Sequence, residues 1–265
     1  MQIFDAANPG RKAFLALAPA IALALAATLA LSSAGPLAAQ AGGRDIDRDF
    51  IDELESKAAS GDAEAAFALG TIYFLGHENV GKDNAKALQF LEKAASKNHV
   101  MALSFLGDLY ETGNGVPRDE KKAVRYFTRA ADRGDAEAAL ALGRLYFFGS
   151  DTVKADKKKA FDYYSKAADG KLPEAQLMLG GMYELGEGIA KDPAKSWRYL
   201  LLAGENPKDD GKGALAVGDV YVSGRNPEVP QDLAKGREYY RRAAAQQVPE
   251  AADRLALLDR AESKK

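Results

Sequence analysis

Leu-Gly, a Tyr three residues after the Gly and a second Gly three residues later recur five times along the chain. They stand at Leu69-Gly70-Tyr73-Gly76, Leu106-Gly107-Tyr110-Gly113, Leu142-Gly143-Tyr146-Gly149, Leu179-Gly180-Tyr183-Gly186 and, as a variant, Val217-Gly218-Tyr221-Gly224. The tyrosines are 37, 36, 37 and 38 residues apart. A fixed period in this range marks a stacked repeat array, in which no unit buries its apolar face alone and each neighbour completes the core of the last. The functional question therefore shifts from a catalytic centre to the surfaces that such a stack presents.

A second register follows each loop: Asp, Lys at +3, an aromatic at +7 and Ala at +11. It reads Asp83-Lys86-Phe90-Ala94, Asp119-Lys122-Tyr126-Ala130, Asp156-Lys159-Tyr163-Ala167, Asp192-Lys195-Tyr199-Ala203 and Asp232-Lys235-Tyr239-Ala243. Steps of four and seven residues place the aromatic and the Ala on one helical face. The Asp is expected at the N-cap, accepting from free backbone N–H groups of the first turn, and Pro193 suits the first helical position. Each unit is thus read as two antiparallel helices, A with Leu-Gly-Tyr and B with the aromatic and Ala. The Gly inside helix A costs about 1 kcal/mol against Ala. Its recurrence predicts a close approach of helices there, and the pairs Ala94-Ala95, Ala130-Ala131, Ala167-Ala168 and Ala243-Ala244 fit the same explanation.

The combined pattern resembles the Sel1-like repeat family, relatives of the tetratricopeptide repeat with a somewhat longer unit. The match is carried by Ala65-Leu69-Gly70-Tyr73-Gly76 and Lys86-Ala87-Phe90-Lys93-Ala94-Ala95, and by Gly113-Asn114-Gly115-Val116 ahead of Asp119 and Lys122-Ala123. It runs from Ala63 to Ala244. The resemblance implies an all-α fold, a right-handed α/α solenoid of about five helix-turn-helix repeats over residues 62–247 with terminal capping helices in 42–61 and 248–265. Asp45 to Ala59 supplies the first cap, with Phe50, Leu54 and Ala58 on its apolar face. Val248 to Ala261 supplies the second, with Leu255, Leu257 and Leu258 opposite Asp253, Arg254, Asp259 and Arg260. The fourth repeat departs from the pattern: Gly204 takes an Ala site and an insert runs to Gly211. A bend between two sub-blocks is expected there.

Arg11-Lys12, an uncharged run of 19 residues from Ala13 to Leu31, the breaker Ser32 to Pro36 and the small residues Ala39-Gln40-Ala41 read as a signal peptide over 1–41. The run also reaches the length of a spanning helix, so an uncleaved membrane anchor is the alternative. Either reading places the repeats in the periplasm or outside the cell, with membrane contact only through the N-terminal segment. Removing 1–41 leaves 34 basic and 37 acidic residues with both signs interspersed, unlike a nucleic-acid-binding surface. There are no cysteines, hence no disulfide framework in a compartment that permits one. This sets the chain apart from the cysteine-rich Sel1-like proteins.

No G-x-S-x-G elbow, S-x-x-K motif, P-loop or dinucleotide fingerprint occurs. The histidines, His77 and His99, lack partners at ligand spacing and read as solvated loop residues, so no metal and no cofactor are expected. Gly113-Asn114-Gly115 and Gly186-Glu187-Gly188 recur at one repeat position and read as turns. Glu111 and Glu184 occupy equivalent positions two repeats apart, too distant for a tight acid/base pair given helix spacings of about 8–10 Å, and read as solvated charges. The chain is not expected to be an enzyme.

The informative surface is the other face of helix A. With the Leu of Leu-Gly as zero, the core takes −4, 0, +3 and +4, and positions −2, +2 and +5 lie opposite. Those positions hold Phe67-Thr71-Phe74, Ser104-Asp108-Glu111, Leu140-Arg144-Phe147, Leu177-Gly181-Glu184 and Leu215-Asp219-Val222. Helix A lines the concave face in tetratricopeptide-like superhelices. The stripe is therefore either a groove for a partner segment or internal packing of the array. As a groove it would use Phe67, Phe74, Leu140 and Phe147 as apolar anchors, with Asp108, Glu111, Arg144 and Glu184 as charged contacts. Trp197 aligns with Leu88, Val124 and Phe161 and reads as core. The resemblance implies a protein–protein interaction scaffold or adaptor of the bacterial cell envelope. A cell-wall or β-lactam-type hydrolase and a glycan-binding component of exopolysaccharide assembly stand as alternatives.

Overall fold

The computed structural model describes residues 46–262 except 47 and 78. The segment 1–41, read as signal or anchor, lies outside them. Among the described residues there are twelve α-helices: α1 (Arg48–Ala59), α2 (Ala63–Leu75), α3 (Asn84–Ser96), α4 (Val100–Thr112), α5 (Glu120–Ala131), α6 (Ala136–Phe148), α7 (Lys157–Asp169), α8 (Pro173–Leu185), α9 (Pro193–Gly204), α10 (Lys212–Ser223), α11 (Leu233–Ala245) and α12 (Pro249–Glu262). The chain is an all-α solenoid of about five helical hairpins, with helices A at α2, α4, α6, α8 and α10. It divides into two compact units, the first ending at Ala102 and the second beginning at Leu103.

One device closes every hairpin. The Asp before helix B accepts from the backbone N–H of the residue three further on: Lys86, Lys122, Lys159 and Lys195 at 3.0 Å and Lys235 at 2.9 Å. The same Asp donates its own N–H to the carbonyl of the helix A Tyr, at 2.7–3.0 Å from Tyr73, Tyr110, Tyr146, Tyr183 and Tyr221. The Tyr ring stacks on the helix B aromatic with centroids 5.7–5.8 Å apart, from Tyr73–Phe90 to Tyr221–Tyr239. The recurring Lys then reaches back over the Tyr face at 4.6–5.3 Å. That placement is a cation–π contact, and it accounts for a lysine at the same offset in every repeat.

The helix A glycines face the residue that follows the helix B aromatic. A Cβ added at Gly107 or Gly143 would lie 2.5 Å from the ring of Phe127 or Tyr164, and one at Gly218 would lie 2.6 Å from Tyr240. At Gly70 and Gly180 the obstructing side chains are Leu91 and Leu200. The expected close approach therefore lies within each hairpin, between its own two helices.

In the first unit, α1 buries Ile51, Leu54 and Ala58. Phe50, expected on that face, is only half-buried, so the buried stripe is displaced by one residue at its start. His99 is not a solvated loop residue. Its ring stacks on Phe67 at 4.7 Å, Nδ1 accepts from the Ala102 N–H at 3.2 Å and Nε2 lies 3.1 Å from Glu64 Oε1. It caps the start of α4 where other helices use Asp. His77 is exposed and forms an isolated backbone bridge with Val80.

In the second unit, Glu120 is buried and accepts from Ser150 Oγ at 2.5 Å, from Thr152 Oγ1 and from Arg118. Those hydroxyl bonds hold its carboxyl below the ordinary value and tie the α6–α7 loop to α5. The 204–211 insert does not divide the chain, because the second unit runs through it. Gly204 and Gly213 allow backbone-to-backbone approach of α9 and α10: a Cβ on Gly213 would lie 2.6 Å from the Ala203 carbonyl carbon. Asp209 accepts from the N–H groups of Gly213 and Ala214 at 2.9 and 3.0 Å, and Asn206 donates to the Lys171 carbonyl at 2.9 Å. The insert thus caps α10 and pins it to the preceding repeat. Trp197 is half-buried, edge-on to Tyr221 at 5.3 Å. At the end of the array α12 contributes Ala251 and Leu258 to a cluster with Leu215, Tyr240 and Val248, while Leu257 is exposed.

Candidate functional site

The helix A stripe separates into an apolar floor and a charged upper layer. Phe67, Phe74, Leu140 and Phe147 are only 5–7 % exposed. Each phenylalanine is covered: Phe67 by His99, Phe74 by Lys82 Nζ at 5.0 Å and Phe147 by Lys157 Nζ at 3.1 Å from the ring centroid. These four side chains are internal packing of the array. They are not free anchors, because residues of the turns and of the first position of α7, which sequence periodicity does not place, already occupy the ring faces.

The charged members lie nearer solvent. In the second unit Asp108, Glu111 and Arg144 are half-buried and Glu184 is exposed. Arg144 grips Glu174 with a two-pronged fork, Nε to Oε1 at 2.6 Å and Nη2 to Oε2. Further along, Asp219 Oδ1 accepts from Tyr240 Oη at 2.7 Å and from Arg254 Nε at 3.0 Å. Position +2 is therefore where one repeat reaches for the next, or for the cap.

Burial leaves the carboxyls near α4 short of compensation. Desolvation pushes Asp108 up to about 8, and the neighbouring Glu111, Asp135 and Glu137 push the same way. Glu111 is raised by burial against the pull of Arg144 and Arg118. Glu137 is exposed, and partial desolvation of its carboxyl raises it only against the pull of Arg144. Glu111 is thus not merely a solvated charge. Carboxyls shifted in this direction are neutral more often than usual near pH 7, and a cation brought among them restores the ionised form.

Two residues of this layer, and one buried beneath it, are not reached by positions −2, +2 and +5. Glu137 and Glu174 stand at −5, one turn earlier on the same face, where extension of the period would have found them. Tyr164 follows the helix B aromatic and packs on Gly143. It is fully buried, and its hydroxyl has no hydrogen-bond partner. Elsewhere in the second unit, a depression of about 670 Å³ is lined by Lys121, Arg125, Tyr146, Val153 and Lys159 among others. None of the stripe residues lines it.

Comparison with known proteins agrees with this architecture. The sequence profile of the Sel1 repeat matches residues 63–99, 100–135, 136–172, 173–207 and 212–248. A Sel1 repeat protein from Oxalobacter formigenes is similar in structure with a TM-score of 0.68 and 27% identity, over 75% of this chain and 79% of that one. A protective antigen of uropathogenic Escherichia coli with an SLR fold gives a TM-score of 0.57 at 27% identity, over 81% of this chain and 52% of that one. The ERAD-associated E3 ubiquitin-protein ligase component HRD3A of Arabidopsis thaliana is 35% identical over 69 residues, 26% of this chain and 10% of that protein. The chain thus spans about a tenth of the length of the curated relative it matches and about half of the Escherichia coli antigen. Five matched repeats, one for each hairpin with its glycine contact and capped second helix, place the chain in the Sel1 repeat family.

Proposed function

We propose that this protein is a non-catalytic adaptor of the bacterial cell envelope that holds a segment of another protein along the charged layer of its helix A stripe. Sel1 repeat proteins generally mediate protein–protein interaction, and the Arabidopsis relative is named as a component of an E3 ligase. The observation that carries the reading is the run of half-buried and exposed charges in the second unit, Asp108, Glu111, Arg144 and Glu184. It lies over an apolar floor that includes Leu140 and Phe147. A polar rim over a packed apolar base is the composition of a peptide-binding surface. In the first unit Phe67 and Phe74 form the corresponding floor. The envelope assignment rests on the N-terminal sequence, whose charged flank, apolar run and small residues have the order of an export signal.

The test is photo-cross-linking in cells from a photoreactive residue at Glu184, compared with one at Lys158, an exposed residue of α7. The expected result is a discrete partner captured from 184 and not from 158. Equal capture from both, or none from 184, refutes the placement.

A further inference from the structure

In the second unit, the fifth residue after each helix B capping Asp is set against the recurrent Tyr of the next repeat. From the third repeat to the fourth it is Phe161, edge-on to Tyr183 with ring centroids 5.5 Å apart. From the fourth to the fifth it is Trp197, edge-on to Tyr221 at 5.3 Å. From the second to the third the same position holds Val124, which brings no ring. Val124 and Tyr146 instead both line the depression of about 670 Å³. Packed repeats leave few gaps, so this depression marks the place that an aromatic side chain takes at the two following steps.

Charge singles out the same step. Lys121 and Arg125 stand on α5 to either side of Val124, and Lys154 stands on the α6–α7 loop; all three line the depression. At the other three steps the matching positions hold at most one cation, Lys158 or Arg198. The side chains of Lys121, Arg125 and Lys154 are exposed, and none makes an ion pair or hydrogen bond among the described residues. The carboxylates nearby are occupied. Asp156 caps α7 through the Lys159 N–H at 3.0 Å, and Glu120 is met by Ser150, Thr152 and Arg118. The fourth cation, Lys159, lies over the Tyr146 ring at 5.1 Å. A concave surface lined by one sign of charge concentrates ligands of the other.

We propose that this depression is a binding site in its own right, for an acidic peptide segment that carries an aromatic residue. The ring enters against Val124 and Tyr146, as Phe161 and Trp197 do at their own steps, and the flanking carboxylates pair with Lys121, Arg125 and Lys154. The buried Val153 adds apolar floor. A volume of about 670 Å³ exceeds one ring and leaves room for its neighbours in the peptide. Burial of the ring supplies most of the affinity, while the exposed cations orient the segment and make its capture sensitive to salt. The site lies apart from the helix A stripe, none of whose residues lines it, and does not depend on that reading.

The experiment uses the purified full chain and a short labelled peptide with a central Trp among Asp and Glu residues, its binding read by fluorescence anisotropy. Two matched peptides replace the Trp with Ala, or the acids with Asn and Gln. Each replacement is expected to weaken binding by about tenfold or more. Arg125→Glu, a change at an exposed residue, is expected to weaken it by about tenfold with an unchanged thermal midpoint. Val124→Trp, which installs here the residue of the fourth repeat, is expected to abolish binding and to keep or raise that midpoint. No binding of the acidic Trp peptide overturns the inference, as does binding that survives loss of the Trp or of the acids. Undiminished binding by folded Arg125→Glu overturns it too. Polyglutamate or an acidic polysaccharide bound as tightly as the Trp peptide reduces the site to a charged patch, and the inference falls. Cross-linking from 184 reads the stripe separately, so failure here leaves that reading standing.

Discussion

Replacing Asp108 with Asn removes an ionisable group from the carboxyls gathered around Asp108 and keeps the shape of the side chain. In the folded chain this carboxyl is held at about 8 against an ordinary value of 3.8. The folded pKa lies above the unfolded one, so between them the folded state binds more protons than the unfolded state. Stability therefore falls as pH rises through that window and levels off above about 8. Each pH unit of separation is worth about 1.4 kcal/mol, and a full shift of this size would reach roughly 5–6 kcal/mol. Asp108 keeps part of its surface in water, and screening reduces the realised penalty to the order of 3 kcal/mol. Asn cannot ionise and carries none of this penalty. Urea unfolding followed by far-UV circular dichroism at pH 5, 6, 7 and 8 reads the difference between Asp108→Asn and the parent chain. The advantage of the variant should be small at pH 5 and grow to about 3 kcal/mol by pH 8. A difference that stays constant across this range, or shrinks with rising pH, refutes the claim that Asp108 is an uncompensated carboxyl.

Two further outcomes follow from particular contacts. Tyr240→Phe removes a donor to Asp219 and should lower stability by about 1–1.5 kcal/mol, whereas Tyr164→Phe removes a hydroxyl that has no partner and should be neutral or stabilising; thermal melts of equal size for the two variants would contradict the pairing. Gly143→Ala gains about 1 kcal/mol of helix propensity but drives a methyl to 2.5 Å from the Tyr164 ring. A net loss of about 1–3 kcal/mol is expected from overpacking, and a raised melting temperature would show that α6 and α7 are not in the contact described.

The parts of this molecule that were legible in its sequence are those set by local chemistry and repeated five times. Leu-Gly-Tyr, the capping Asp and the helix B aromatic each answer to a backbone or face requirement within one hairpin. Their spacing alone was enough to announce the helix pairs, their caps and a close approach at the Gly. Even there the sequence was silent on the reason for the recurrent Lys, which is visible only once its ammonium is found over the Tyr of the same hairpin. It also placed Phe50 on the buried face of α1, where Ile51 sits instead.

For the site the division is sharper. Periodicity told which side chains share a face, and so it named Asp108, Glu111, Arg144 and Glu184 together with Phe67, Phe74, Leu140 and Phe147. What lies opposite that face depends on the shift and rotation from one hairpin to the next, which packing sets and no spacing along the chain records. That geometry put His99, Lys82 and Lys157 over the phenylalanines and turned candidate anchors into floor. It also brought Arg144 to Glu174, left Asp108 facing Glu137, and kept the Tyr164 hydroxyl without a partner. The sequence by itself determined that this chain is a stack of helical hairpins with one variable face. Only the tertiary structure decided which residues on that face are already satisfied and which still lack a counter-charge, because satisfaction is a property of pairs that meet across repeats.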